Sequence, residues 1–297
     1  MTKVWRASIF LLWEVAEMTK LLHAEFSRLI KTRLFWLGLL VMITVPLYGV
    51  GVRYYDFYIA QEAVWETADG LWFVGGMYIA VVVSVFVSLF IGTEFSDGTI
   101  RNKLTVGHSR GNIYLSNLIT CTCVSLFYHI AYIAVLFGAG SLLLKSWETP
   151  MKNLAIMTAL SLAAVVAASA VFTMLAMLIH NRSAGAVTAM LVAMAMLIGA
   201  MTVYSMLNAP EYIENAFQLS VDGEIVPSDP IPNPKYLTGV KRDVYRHILN
   251  LIPTGQMLRF GSLAYSDDML YLPLYAVGVA VVCTLGGLLV FRRKDIR

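Results

Sequence analysis

Charge is scarce in this chain. Of its 297 residues only 14% are Asp, Glu, Lys or Arg, against about 25% in soluble domains. Cysteine is scarcer still: Cys121, Cys123 and Cys283 are the three present, all within apolar runs. The first two are two apart, so on a helix they point to different sides and make a poor metal pair. Helix packing is their simplest role. No Gly-Lys dipeptide occurs anywhere, which excludes the G-x-x-x-x-G-K-[ST] loop that cradles nucleotide phosphates. None of the five histidines, His23, His108, His129, His180 and His247, belongs to an H-E-x-x-H zinc motif. No apolar run of membrane-spanning length lies near the start either. The first begins at Leu34 behind a charged segment, so no cleavable signal peptide is expected.

Hydrophobic residues make up 58% of the chain, and the mean hydropathy is +0.70. A bilayer core about 30 Å thick takes roughly 20 apolar residues as helix. Six runs qualify: Leu34–Val52, Leu71–Gly92, Ile113–Leu144, Leu154–Ile179, Ala184–Leu207 and Tyr271–Phe291. The expected fold is therefore an all-α polytopic membrane protein with six transmembrane helices. The third run has 32 uncharged residues, too long for one upright span at about 1.5 Å per residue. It should either begin in the interface or break near Gly138 and Gly140. Basic residues set the orientation. With the N-terminus in the cytoplasm, fourteen of the 22 Lys and Arg lie inside, and five of the remaining eight fall in one long loop. Both termini are then cytoplasmic. The net charge of +3 is a membrane-topology signature and points to no nucleic-acid partner.

Residues 1–33 read as an amphipathic helix on the inner membrane surface. Val15, Met18, Leu22, Phe26 and Leu29 recur at spacings of three and four, with Glu17, Lys20, Ser27 and Lys31 elsewhere on the wheel. Such a helix can anchor the chain or brace a cytosolic partner. Residues 34–297 form the six-helix transmembrane domain, with a cytoplasmic loop at 93–112 and an outer loop at 208–270. Small residues in AAVVAASA, Ala163 to Ala170, allow close helix approach in lipid. The fourth and fifth spans carry eight of the 15 methionines, Met174, Met190 and Met194 among them. Flexible thioethers suit both ordinary packing and a surface that adapts to apolar ligands. The outer loop holds six of the nine prolines, four of them in VPSDPIPNPK, which should be extended and stiff. After it, Val240, Val244, Ile248 and Ile252 are spaced by four, as on an amphipathic helix stopped at Pro253. PTGQMLRFGSL then forms a second short helix or a re-entrant turn. The whole loop reads as a cap over the outer mouth.

The loop between the second and third runs is built differently. EFSDGTIRNKLTVGHSR, from Glu94 to Arg110, is polar, basic and marked by glycine. Asp97-Gly98 signals a turn, Thr99 can N-cap a helix and Gly107 can end it. Between them Ile100 and Leu104 share one face, with Arg101 and Lys103 near another. Ser109 can cap the next helix. The expected result is a short helix held across the membrane face by two capped turns.

Extended to Asn117, this stretch, EFSDGTIRNKLTVGHSRGNIYLSN, closely resembles the loop between spans two and three of type-2 ATP-binding-cassette permeases. The bacterial peptide-antibiotic exporter and immunity group is the nearest in pattern: an acidic residue, Gly-Thr, a basic helix, then Ser-Arg leading into span three. The N-terminal amphipathic helix, six spans and long outer loop between spans five and six resemble that family as well. The resemblance implies a helix that couples to an ATPase, placing Glu94, Gly98, Thr99, Ile100, Arg101, Lys103, Leu104 and Arg110 in that role. Ile100 and Leu104 would bury in the ATPase, Arg101 would pair with an acidic group there, and Glu94 would hold the loop through a basic neighbour such as Arg110. It also implies a permease dimer in the bacterial cell membrane, in contact with lipid and with two ATPase subunits. This chain would then carry no cofactor and no catalytic residue, with ATP and Mg bound by the partner. Exported cargo would be amphipathic or hydrophobic. His129 lies inside the third run, where an ionisable group is a functional candidate by default. With Met174, Met190 and Met194 it is the candidate lining of a translocation path. An ion-coupled carrier is the alternative, although no carboxylate lies inside a run to partner His129. A non-transporting membrane scaffold or sensor is a third class.

Overall fold

The computed structural model describes residues 3–61, 67–144, 147–213, 217–219, 225–227 and 230–294. Helix α1 (Lys3–Lys31) is separated by Thr32 from α2 (Arg33–Tyr54), which ends in a π-turn at Tyr55–Ile59. Helices α3 (Val74–Ser96), α4 (Thr99–Thr105) and α5 (Arg110–Leu143) follow, then α6 (Met151–Leu178) and α7 (Arg182–Leu207). Helices α8 (Gly239–Leu251) and α9 (Pro253–Gly261) precede α10 (Leu272–Arg293). Helices α2, α3, α5, α6, α7 and α10 supply the six segments long and apolar enough to cross a membrane.

Helices α3 and α6 occupy the centre. In their spans 61% and 50% of the apolar window is buried, against 17% for each of the spans containing α7 and α10. Position sets the difference, because α3 and α6 each have four spans around them, and their Gly, Ala and Ser residues let those neighbours approach closely. Helix α3 packs on α2, α5, α6 and α7, and α6 packs on α3, α5, α7 and α10. Ala164, Ala167, Ala168 and Ala170 of the AAVVAASA stretch are all buried. The outer helices turn Trp36, Leu37, Val187, Leu191, Leu274 and Val282 outward, as lipid-facing residues should be. Buried aromatic polar groups find partners. The Tyr128 hydroxyl donates to Phe35 O at 2.7 Å, the Tyr132 hydroxyl to Leu71 O at 2.8 Å, and Trp72 Nε1 to Thr158 Oγ1 at 2.8 Å.

The structure adds detail at three places. Helix α5 runs unbroken for 34 residues and does not stop at Gly138 or Gly140. Gly140 serves close approach instead, since a Cβ there would lie 3.0 Å from both Ala68 and the Trp147 ring. The loop after α7 is not purely helical. Strands β1 (Tyr212–Ile213), β2 (Phe217–Leu219), β3 (Ile225–Pro227) and β4 (Ile231–Pro232) form antiparallel pairs β1–β4 and β2–β3. In VPSDPIPNPK, Val226, Pro227, Ile231 and Pro232 are thus extended, Pro234 and Lys235 form a turn, and Ser228 and Asp229 lie outside the described residues. Finally, α9 is more than a cap, because it inserts against α3, α6 and α7. Met257 packs on Gly76, the Phe260 ring lies tilted at 5.5 Å from that of Phe73, and Thr254 Oγ1 donates to Met196 O at 3.0 Å.

Candidate functional site

Helix α4 is short and fixed at both ends by backbone geometry. Gly98 is its N-cap at φ 68°, a left-handed conformation that glycine adopts without steric cost. Thr99 is consequently the first helical residue rather than the cap. At the other end Gly107 has φ 103°. Its N–H bonds Leu104 O at 3.0 Å, and the His108 N–H bonds Lys103 O at 3.1 Å. This is the paired arrangement of a Schellman motif, which satisfies carbonyls that a helix end leaves open. Ser109 then caps α5, its Oγ accepting from Asn112 N at 3.1 Å. Two turns of helix are held rigidly between the ends of two membrane spans.

The faces of α4 are distributed differently from expectation. Ile100 is fully buried in the core of this same chain, and Leu104 is half-buried against that core. They seat α4 on the bundle and are not available to a partner's groove. Arg101, Asn102, Thr105 and Val106 are exposed, with Val106 at 79%.

Behind α4 lies a buried charge cluster that ties four helices together. Glu94, near the end of α3, is 1% exposed. Its Oε1 pairs with Lys103 of α4 and with Arg28 Nη1 of α1 at 3.0 Å. Its Oε2 accepts from Asn117 Nδ2 of α5 at 2.9 Å. Glu25 of α1, also 1% exposed, pairs with the same Lys103 and with Arg28 Nη2 at 2.9 Å. The guanidinium of Arg28 sits 3.8 Å from the centre of the Phe90 ring, a cation–π contact. Two carboxylates and two cations balance, which buried charge requires. Burial, and then the charge of Glu94, hold the Glu25 carboxyl above its ordinary pKa, opposed by Arg28 and Lys103.

Glu94 does have basic neighbours, but they are Lys103 and Arg28 and not Arg110. Arg110 instead donates from Nη1 to Phe291 O at 3.2 Å and to Lys294 O, fastening the end of α10. Lys294 donates in turn to Leu178 O. The start of α5 and the ends of α6 and α10 therefore meet at the same end of the bundle as α1 and α4. Sequence reasoning missed Glu25, Arg28 and Asn117. One signal was available: Glu25 lies four residues from both Leu21 and Leu29, and all three are buried. A carboxylate in the middle of an apolar stripe needs a partner.

The candidate path residues are not brought together. His129 is fully buried and its Nε2 lies 2.9 Å from Ser161 Oγ, so it bonds α5 to α6. Met174 is half-buried beside Gly287 on the α10 side of α6. Met190 and Met194 are exposed at 43% and 41% on the outward face of α7.

Gly107-His108-Ser109-Arg110-Gly111 also spells G-x-S-x-G, the pattern of hydrolase nucleophile elbows. Such an elbow joins a strand to a helix, whereas this stretch joins two helices and Ser109 is engaged as a cap. The His108 imidazole approaches Glu17, with Nδ1 2.8 Å from Oε2 but poorly aligned for a hydrogen bond. Among the described residues no group of three His, Cys, Asp or Glu could hold a metal ion.

No curated protein matches the chain. The family described as "ABC-2 family transporter protein" matches residues 21–200. That range begins in α1, includes α4 and the whole charge cluster, and ends within α7. With the six apolar helices, it makes this a multi-pass membrane protein of the permease type. The chain belongs to the ABC-2 transporter family.

Proposed function

We propose that this chain is the permease half of an exporter in the bacterial cell membrane, working as a dimer with an identical or related chain. Two separate ATPase subunits bind ATP and Mg and dock on α4. Cargo moves outward and is amphipathic or hydrophobic, with peptide antibiotics within that class. The end bearing α1 and α4 faces the cytoplasm, in keeping with the excess of Lys and Arg at that end.

The observation that carries this reading is the mounting of α4. A helix with glycine-fixed ends, an apolar face seated on the bundle and a polar face exposed can receive a push. The buried charge cluster then passes displacement to α1, α3 and α5 together. Glu94, Lys103, Ile100 and Leu104 act as positioning residues, and Arg101, Asn102, Thr105 and Val106 offer the docking face.

Co-purification with a co-expressed ATPase, together with ATPase rates in proteoliposomes, tests the reading. Arg101→Ala and Val106→Asp should each weaken association or uncouple hydrolysis from export, with normal insertion of the spans. An interfacial charge left without its partner commonly costs about 2–5 kcal/mol. Association and coupling unchanged in both variants would show that α4 is not the transmission element. Transport independent of any ATPase would refute the exporter reading altogether.

A further inference from the structure

At the opposite end of the bundle from α4, the C-terminus of α7 meets α8 and α9 around a cavity of about 140 Å³. Three guanidinium groups, those of Arg242, Arg246 and Arg259, line it together with Tyr204 and Asn208. Two of the three are held in place. Arg242 Nη2 donates to Leu207 O at 3.1 Å and Nη1 to Leu237 O at 3.4 Å. Arg259 Nη1 donates to Asn250 Oδ1 at 2.9 Å, and its Nη2 pairs with Asp268. The third, Arg246, is half exposed, with Asp243 at 3.9 Å and the Asp268 carboxylate near enough to feel its charge. Three cations thus face two carboxylates, and the excess positive charge sits on a concave surface.

The position of α8 indicates what anion would reach that surface. At about 100° per residue, Val240, Val244, Ile248 and Leu251 fall on one side of α8, and all four are exposed. Arg242 and Arg246 lie on the opposite side, toward the end of α7. An apolar face at the end of a membrane span belongs in lipid, which sets α8 at the boundary between hydrocarbon and headgroups. The arginines therefore stand at headgroup depth. The cavity is open on one side and has room for a phosphate-sized anion. Guanidinium forks match phosphate oxygens in pairs.

We propose that this cavity binds the phosphate of an anionic phospholipid headgroup, with Arg246 supplying the uncompensated charge and Arg242 and Arg259 the fixed donors. The site depends on the membrane span and not on the direction of transport, so it stands apart from the export reading.

The test uses the full chain purified in detergent, titrated with phosphatidylglycerol or phosphatidylcholine and followed by native mass spectrometry. Phosphatidylglycerol should be retained in preference to phosphatidylcholine. One arginine near a lipid surface supplies about a fivefold gain in affinity for anionic lipid, so Arg246→Gln should reduce the preference roughly fivefold. Arg246→Lys should restore most of it. Arg242 also caps α7, so Arg242→Gln is read only where the melting temperature is unchanged. Arg293→Gln, at the other end of the bundle, should leave the preference intact. Equal retention of the two lipids, or a preference unmoved by Arg246→Gln, would overturn the proposal. Displacement of the lipid by millimolar inorganic phosphate, bound as well on its own, would assign the cavity to a free anion and overturn the lipid assignment.

Discussion

At the α4 end, Glu25, Arg28, Glu94 and Lys103 are packed into one patch that joins α1, α3 and α4, and Asn117 adds α5. At the opposite end the loop between α7 and α10 is fixed by an inserted helix, with Met257 and Phe260 buried against α3. Charge at the first end is balanced and buried. Charge at the second is in excess of one sign and open to solvent or headgroups. The contrast has a physical basis. Paired ions in a buried site hold several elements in one geometry, because separating them leaves a naked charge. Apolar insertion, with hydrogen bonds from Thr254 and Gln256, fixes the second end without a balanced ion cluster, and leaves the Arg246 side chain half exposed.

The largest expected effect comes from removing the shared acceptor. Glu94→Ala removes one partner each from Lys103, Arg28 and the Asn117 amide and leaves two cations on Glu25 alone, and breaking a buried pair in this way typically costs about 3–5 kcal/mol. Thermal unfolding of the purified protein should show a clear loss of stability. Protection of α1 and α4 from hydrogen exchange should fall together, because both depend on the same carboxylate. Loss of protection in α4 alone would separate α1 from the cluster.

Met257→Ala probes the other end. Met257 is 2% exposed, and truncating a buried Met costs about 2–5 kcal/mol depending on how well the site collapses. Stability should fall by an amount in the lower half of that range, since the neighbouring small residues of α3 and α6 allow collapse. Hydrogen exchange should rise in α8 and α9 and stay unchanged in α4. A matching rise in α4 would mean that the two ends are not independent.

The smallest effect is local. Ser109→Ala removes the side-chain acceptor for Asn112 N–H, worth about 1 kcal/mol at a helix N-cap. A modest drop in melting temperature with unchanged association to an ATPase is expected. A loss as large as that of Glu94→Ala would show that Ser109 has a further partner beyond its cap.

The turn chemistry around α4 was legible because it is local. Gly98 and Gly107 need a left-handed backbone that few other residues tolerate, and Ser109 reaches a donor three residues away. The six spans were legible for a similar reason, since twenty apolar residues in a row leave few alternatives in lipid. The seat of α9 was not. PTGQMLRFG reads as a short helix or a re-entrant turn, but only the tertiary structure supplies Met196 O, Asn250 O and Asn250 Oδ1 as partners for Thr254, Gln256 and Arg259.

The sequence by itself determined the membrane class, the number and approximate limits of the spans, and the existence of a capped helix between the second and third. Those properties follow from hydropathy and from backbone conformations set within a few residues. Tertiary structure alone decided that Ile100 seats inward, that Glu94 is shared by Lys103 and Arg28 rather than Arg110, and that three arginines from α8 and α9 converge below the end of α7. An ion pair or a packed side chain takes its partner from whichever helix is brought alongside, and that neighbour is fixed by the packing of α3 and α6, not by distance along the chain.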